Sequence, residues 1–136
     1  MKSTIIQQAP LRLITVKAKS FPEGIRAAWQ DIESRRKIKG RKAYGLIYDN
    51  EYFAGLVSDG ELEERVTGLQ VVEVRGGPCA RIKAEDWNQR TGEIGSLFAH
   101  MAAEHEVDPS RPAMEFYRSF TELHLLLPVK MKSGRN

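Results

Sequence analysis

The sequence predicts an α+β fold: duplicated β-α-β-β units with pseudo-twofold symmetry, forming one antiparallel sheet with two helices on one face. Three observations lead there. The chain repeats at an offset of 69 residues, so that the stripe Ile25, Ala28, Trp29, Ile32 returns as Ile94, Leu97, Phe98, Met101, while Leu13 and Tyr48 return as Ile82 and Tyr117. Each stripe has the i, i+3, i+4, i+7 spacing of a helix with one narrow apolar face, and such a helix must lie on a sheet. Each stripe is also followed by two strand-like segments around a turn, the pattern of a hairpin.

The elements follow in order. Residues 11–19 alternate as a strand. Ser20 and Glu23 have capping-box spacing with Pro22 in the first turn, so a helix of about four turns is expected to run to Arg36. Residues 42–48 and 52–57 form a hairpin joined by Asp49-Asn50-Glu51, and Asp59-Gly60 closes a first unit over about 11–60. The acidic run Glu61-Leu62-Glu63-Glu64 reads as a linker or an exposed rim. In a second unit, over about 68–129, residues 71–74 and 79–84 are extended around Gly76-Gly77-Pro78, a turn or bulge signal. Asn88 or Thr91 can cap the second helix, which ends near His105. Asp108-Pro109 and Arg111-Pro112 punctuate a loop before the second hairpin, 113–117 with 121–129. One domain is expected to span 1–136, with the basic tail 130–136 flexible.

The bulk numbers exclude several classes. With 41% hydrophobic and 29% charged residues in 136, the chain has the composition of an ordinary soluble protein large enough for a real core. Two short basic clusters stand out, Arg35-Arg36-Lys37 with Lys39, Arg41 and Lys42, and the tail Lys130 to Arg135. Solvated helix ends and loops explain such runs as well as phosphate contact does, so direct nucleic-acid binding is not expected. A single cysteine rules out an internal disulfide and suits a reducing compartment. No apolar run reaches membrane-spanning length, and the first residues lack a signal-peptide core. A cytoplasmic location with no membrane partner is expected.

The repeat breaks at Glu115. The offset of 69 carries Leu46 onto this residue, placing a carboxylate in Met114-Glu115-Phe116-Tyr117 where the other half is aliphatic. Strand alternation puts Ala113, Glu115 and Tyr117 on one face, and the repeat places Tyr44, Leu46 and Tyr48 on the equivalent one. If that face looks at the helices, the acid must be protonated, paired with Lys or Arg, or kept for a ligand cation, because an uncompensated buried carboxylate is costly. A rim glutamate paired with Arg118 or solvent is the alternative. Tyr44, Tyr48 and Tyr117 suit either aromatic walls or a core with wet hydroxyls. Trp29, Phe98 and Met101 lie on the helix stripes, where core grades into pocket lining. Trp87 precedes the second helix and reads as a lid over the seam or an anchor for its own loop. His100, His105 and His124 have no metal-ligand spacing, and Cys79 has no second cysteine and no histidine nearby in sequence. No metal and no cofactor are expected.

The two β-α-β-β units, the segment Gly76-Gly77-Pro78 with Ala80, the strand Met114-Glu115-Phe116-Tyr117 and the closing Leu127-Pro128-Val129 together resemble the GyrI-like superfamily. That superfamily is also the effector-binding domain of multidrug-sensing and AraC-type bacterial regulators. The resemblance implies a small-molecule pocket at the pseudo-twofold seam, between the helices and over the sheet. Its Glu-x-Tyr glutamate, which contacts hydrophobic cations, maps onto Glu115. The remaining candidate lining is Tyr117, Tyr48, Tyr44, Leu46, Trp87, Phe98, Met101 and Trp29. One departure is Cys79, where the family often has an aromatic residue. The implied function is a stand-alone effector-binding module for hydrophobic cationic compounds, with a regulator or other protein as a further candidate partner. Two alternatives stay open. One is a hydrolase of strained electrophilic small molecules, with Glu115 as general base and Tyr117 or Tyr48 orienting the substrate. The other is a protein-interaction module, since the family's founding member binds DNA gyrase.

Overall fold

The computed structural model describes residues 2–87 and 91–131. Among these described residues, eight strands and three α-helices follow one another as β1 (Thr4–Gln8), β2 (Leu11–Lys17), α1 (Ile25–Arg35), β3 (Ala43–Tyr48), β4 (Glu51–Val57), α2 (Glu61–Thr67), β5 (Gln70–Val74), β6 (Gly77–Glu85), α3 (Ile94–Glu104), β7 (Ala113–Tyr117) and β8 (Glu122–Pro128). All eight strands join one antiparallel sheet in the order β1-β6-β8-β7-β3-β4-β2-β5. Exchanging β1 with β5, β2 with β6, β3 with β7 and β4 with β8 returns the same order. The two halves are therefore related by a twofold through the central β3–β7 pair. The α+β class with a single antiparallel sheet holds, and α1 and α3 lie on one face of it.

Two elements escape the sequence reading. The first is β1, whose Thr-Ile-Ile-Gln-Gln lacks alternation; it pairs with β6 of the second half, while β5 pairs with β2 of the first. The outer strands are thus exchanged between the halves. The second is α2, on the run expected to be a linker or rim. Glu61, Glu63 and Glu64 fill its first turn, where the helix dipole favours negative charge, and Gly68 ends it in the left-handed region at φ 64°. Glu63 and Glu64 are not a free rim. Arg41 holds Glu63 with two bonds of 2.7 and 2.8 Å, and Arg12 holds Glu64 in the same bidentate way.

Helix starts also differ. α1 begins at Ile25 and spans 11 residues, about three turns, with Gly24 at its cap and no side-chain capping bond. Ser20 contributes its carbonyl to the Gly24 N–H instead, and a Cβ on Gly24 would lie 2.6 Å from that oxygen. A short 3-10 turn at Thr91–Glu93 leads into α3, so Thr91 opens that turn rather than capping the helix. Asn88 and tail residues 132–136 lie outside the described residues. Among the described residues no helix is long and apolar enough to cross a membrane.

Each helix covers its own half of the sheet. Ile14, Tyr52 and Leu56 are buried against Ile32 of α1, and Ile82, Leu123 and Leu125 against Met101 of α3, with Tyr117 packed against both groups. The other sheet face carries Leu13, Tyr44, Leu46, Phe53, Met114 and Leu126, buried in a cluster whose hydrophobic members among the described residues include none from a helix. The curl of the sheet encloses this second core. The β1–β2 and β5–β6 links meet so closely that a Cβ on Gly76 would lie 2.8 Å from the Gln8 carbonyl oxygen.

One detail of spacing decides the site. The connection from α1 to β3 has seven residues (36–42), and that from α3 to β7 has eight (105–112). The helices therefore repeat at 69, Ile25 to Ile94, but the central strands repeat at 70, Ala43 to Ala113. A shift of one residue in a strand sends every side chain to the opposite face. Tyr44, Leu46 and Tyr48 accordingly share the face of Met114 and Phe116, not that of Glu115, and the expectation that they surround the acid is overturned.

Candidate functional site

Across the central β3–β7 pair the partner of Glu115 is Gly45, and on its other side Leu125 of β8. Ala113, Glu115 and Tyr117 face the helices, as their alternation requires. Glycine inside a strand often marks a close approach by another group. Here a Cβ on Gly45 would collide with the Tyr52 hydroxyl and sit 2.8 Å from Glu115 Oε1. The missing side chain opens the slot through which Tyr52, on β4, reaches across β3.

Two hydroxyls converge on one oxygen. Tyr52 Oη donates to Glu115 Oε1 at 2.9 Å and Tyr117 Oη donates to the same atom at 2.8 Å. Trp29 on α1 donates its Nε1–H to Tyr52 Oη at 3.0 Å. Further aromatic rings pack around this chain. Trp29 and Trp87 both meet Tyr117, at centroid distances of 5.1 and 5.3 Å, and Phe21 stacks on Tyr52 at 5.8 Å. Trp87 also donates from Nε1 to the Ser119 carbonyl at 3.4 Å, so it both covers Tyr117 and ties down the β7–β8 turn. Phe98 is half-buried and Met101 fully buried in the α3 core that Tyr117 joins.

The electrostatics single out the acid. Glu115 is 7% exposed. It forms no ion pair among the described residues, and Arg118 is not its partner. Burial raises its carboxyl pKa above the ordinary value, opposed by the hydroxyls of Tyr117 and Tyr52. Burial likewise raises both tyrosines, and the nearby Glu115 charge adds to it. The group is biased towards its neutral form while holding two donors suited to the charged one.

The remaining sequence candidates lie elsewhere. Tyr44 stacks on Phe116 at 4.8 Å and Tyr48 meets Phe53 edge-on at 5.7 Å, both on the other sheet face, where Leu46 is fully buried. Conversely, Tyr52, Gly45 and Phe21 belong to the cluster and were missed. The signal for the first two is the glycine inside a predicted strand, next to a hairpin partner with a large polar aromatic. Two surface grooves of about 460 and 710 Å³ lie away from Glu115, one over Arg12 and Glu64, the other over Arg36 and Leu62. At the seam the Trp29 and Trp87 rings pack on Tyr117.

No family model matches the chain, and no curated protein is similar to it. Solved structures are. SAV2435, determined with tetraphenylphosphonium bound, superposes with a TM-score of 0.69 at 17% identity over 100% of this chain and 98% of that one. The fold is GyrI-like. Two further structures share this fold: an integron cassette protein of Vibrio cholerae (TM-score 0.68, 14% identity, 94% and 95% covered) and a putative bacterial transcription regulation protein from Staphylococcus aureus MU50 (0.64, 16%, 96% and 99%). At these identities the likeness concerns the fold alone.

Proposed function

We propose that this protein is a small-molecule-binding module that takes hydrophobic cations at the seam between α1 and α3, with Glu115 as their counterion. One observation carries the reading. A carboxylate more than nine-tenths buried sits at the centre of the sheet without a basic partner among the described residues, ringed by Trp29, Tyr52, Trp87 and Tyr117. SAV2435, of the same fold, was solved with a lipophilic cation bound, a chemistry that suits such a ring.

Binding works by replacement. The aromatic rings strip water from the ligand, each cation–π contact being worth ~0.5–2 kcal/mol. Glu115 supplies the charge that substitutes for the lost hydration. Because Trp29 and Trp87 pack on Tyr117, they part from it to admit the ligand. The Tyr52 and Tyr117 hydroxyls then hold the ionised carboxylate in place. Met101 and Phe98 form an adaptable floor, which makes the site tolerant of shape and selective for charge.

A thermal-shift comparison tests this, using tetraphenylphosphonium and neutral triphenylphosphine oxide on the wild-type protein and Glu115→Gln. A ligand that binds only the folded state raises its melting temperature. The cation should raise it in the wild type and not in the variant, while the neutral compound treats both alike. Equal shifts from the cation in both proteins would sink the proposal.

A further inference from the structure

One of the two surface grooves combines positive charge with exposed apolar side chains. The groove of about 710 Å³ runs between the C-terminal end of α1 and the exposed side of α2, and Arg35, Arg36, Lys37, Lys39 and Arg41 line it. We propose that it docks an acidic amphipathic segment of a partner protein.

The first support is α2 itself. None of its residues is buried, and Leu62 and Val66, one turn apart, are 68% and 67% exposed along the groove. The helix is held to the body by polar clamps instead, Glu63 by Arg41 and Glu64 by Arg12. Its apolar pair is therefore free for an external contact.

Charge is the second support. Lys37 and Lys39 take part in no ion pair among the described residues, and Arg35 reaches only Asp31 of its own helix, at 2.8 Å. Arg36 and Arg41 share Glu63, with Arg36 Nε 3.3 Å from Oε2 but without the angle for a hydrogen bond. Against five cations the lining holds only Asp59 and Glu63, so the groove is net positive.

Together these choose the occupant. A free phosphate or a nucleic-acid backbone would satisfy the cations and leave Leu62 and Val66 wet. A helix with carboxylates on one side and apolar residues on the other covers both, laying its apolar side against Leu62 and Val66 and its acids against Lys37 and Lys39. Opposite charge also speeds encounter and selects the partner.

Fluorescence anisotropy with a labelled synthetic peptide tests the proposal on the full chain. The peptide spans about four helical turns, with glutamates on one face and leucines on the other. Controls are a scrambled peptide of identical composition, a version with glutamine for glutamate, and a mixed-sequence DNA duplex. The paired variants are Lys37→Glu with Lys39→Glu, and Leu62→Ala with Val66→Ala, all at exposed positions whose folding is checked by thermal unfolding. Each pair should weaken the amphipathic peptide at least about tenfold, the step that 1.4 kcal/mol makes. Added salt should weaken it further, and both control peptides should bind more weakly. Equal binding of the scrambled peptide would overturn the proposal. So would no binding, or tight DNA binding indifferent to the Leu62 and Val66 changes.

Discussion

The two halves of the sheet meet at Gly45 and Glu115 and contribute opposite things to that meeting. The second half supplies the acid and one hydroxyl, on Glu115 and Tyr117; the first supplies an empty space, Gly45, and the Tyr52 hydroxyl that passes through it. Above them α1 places an indole that donates to Tyr52, while α3 places Phe98 and Met101, which donate nothing. A duplicated fold built this way is symmetric in backbone and asymmetric in chemistry. Neither half could form the site alone, since one lacks the charge and the other lacks the gap.

Filling the gap is the most damaging way to break this asymmetry. Gly45→Ala would push a methyl group onto the Tyr52 hydroxyl and Glu115 Oε1, an overpacking that should cost about 1–3 kcal/mol in chemical denaturation. Adding Tyr52→Phe removes the atom in closest conflict and should recover part of that loss. A Gly45→Ala protein with an unchanged midpoint would mean that the slot is loose.

Next in size is the charge. Glu115→Gln should weaken a lipophilic cation at least about tenfold by calorimetric titration, leaving a neutral aromatic nearly unaffected. The two sheet faces then separate by a smaller effect. Tyr52→Phe and Tyr117→Phe should each weaken the cation several-fold, whereas Tyr48→Phe, on the other face, should leave it unchanged.

Acid–base behaviour contrasts the seam with the rim. Glu115 has a raised folded pKa, so the folded state keeps a proton that the unfolded chain has given up. Its contribution therefore falls as pH rises from the ordinary value of 4.5 through the folded one, and Glu115→Gln should lack that fall. Glu64 has the opposite sign. Arg12 and then Ser58 hold its carboxyl down at about 2, so its stabilisation is present above 4.5 and is lost as pH drops towards about 2. Arg12 is half-exposed, so solvent and salt screen the pair and it should give the smallest effect. Denaturation curves of Glu115→Gln and Glu64→Gln across pH check both signs.

Much of this was legible in the sequence, and the misses share a cause. The helix stripes at an offset of 69, both hairpins and the odd acid at 115 follow from periodicity, which depends on local spacing. The surroundings of Glu115 do not, because they hinge on one extra residue in the 105–112 connection. Carrying the helix offset into the strands turned Tyr44, Leu46 and Tyr48 towards the acid and hid Gly45 and Tyr52. β1 escaped because its place comes from pairing with a distant strand, β6. Similarly, α2 escaped because its stability lies in Arg12 and Arg41, 52 and 22 residues from their partners.

The most direct test of the central claim is a crystal structure of the protein with tetraphenylphosphonium bound. The account predicts the cation between α1 and α3, with the Trp29 and Trp87 rings parted from Tyr117 and the phosphonium facing the Glu115 carboxylate. A cation seated on the opposite sheet face, among Tyr44, Tyr48 and Phe116, with the Glu115 cluster closed, would contradict it.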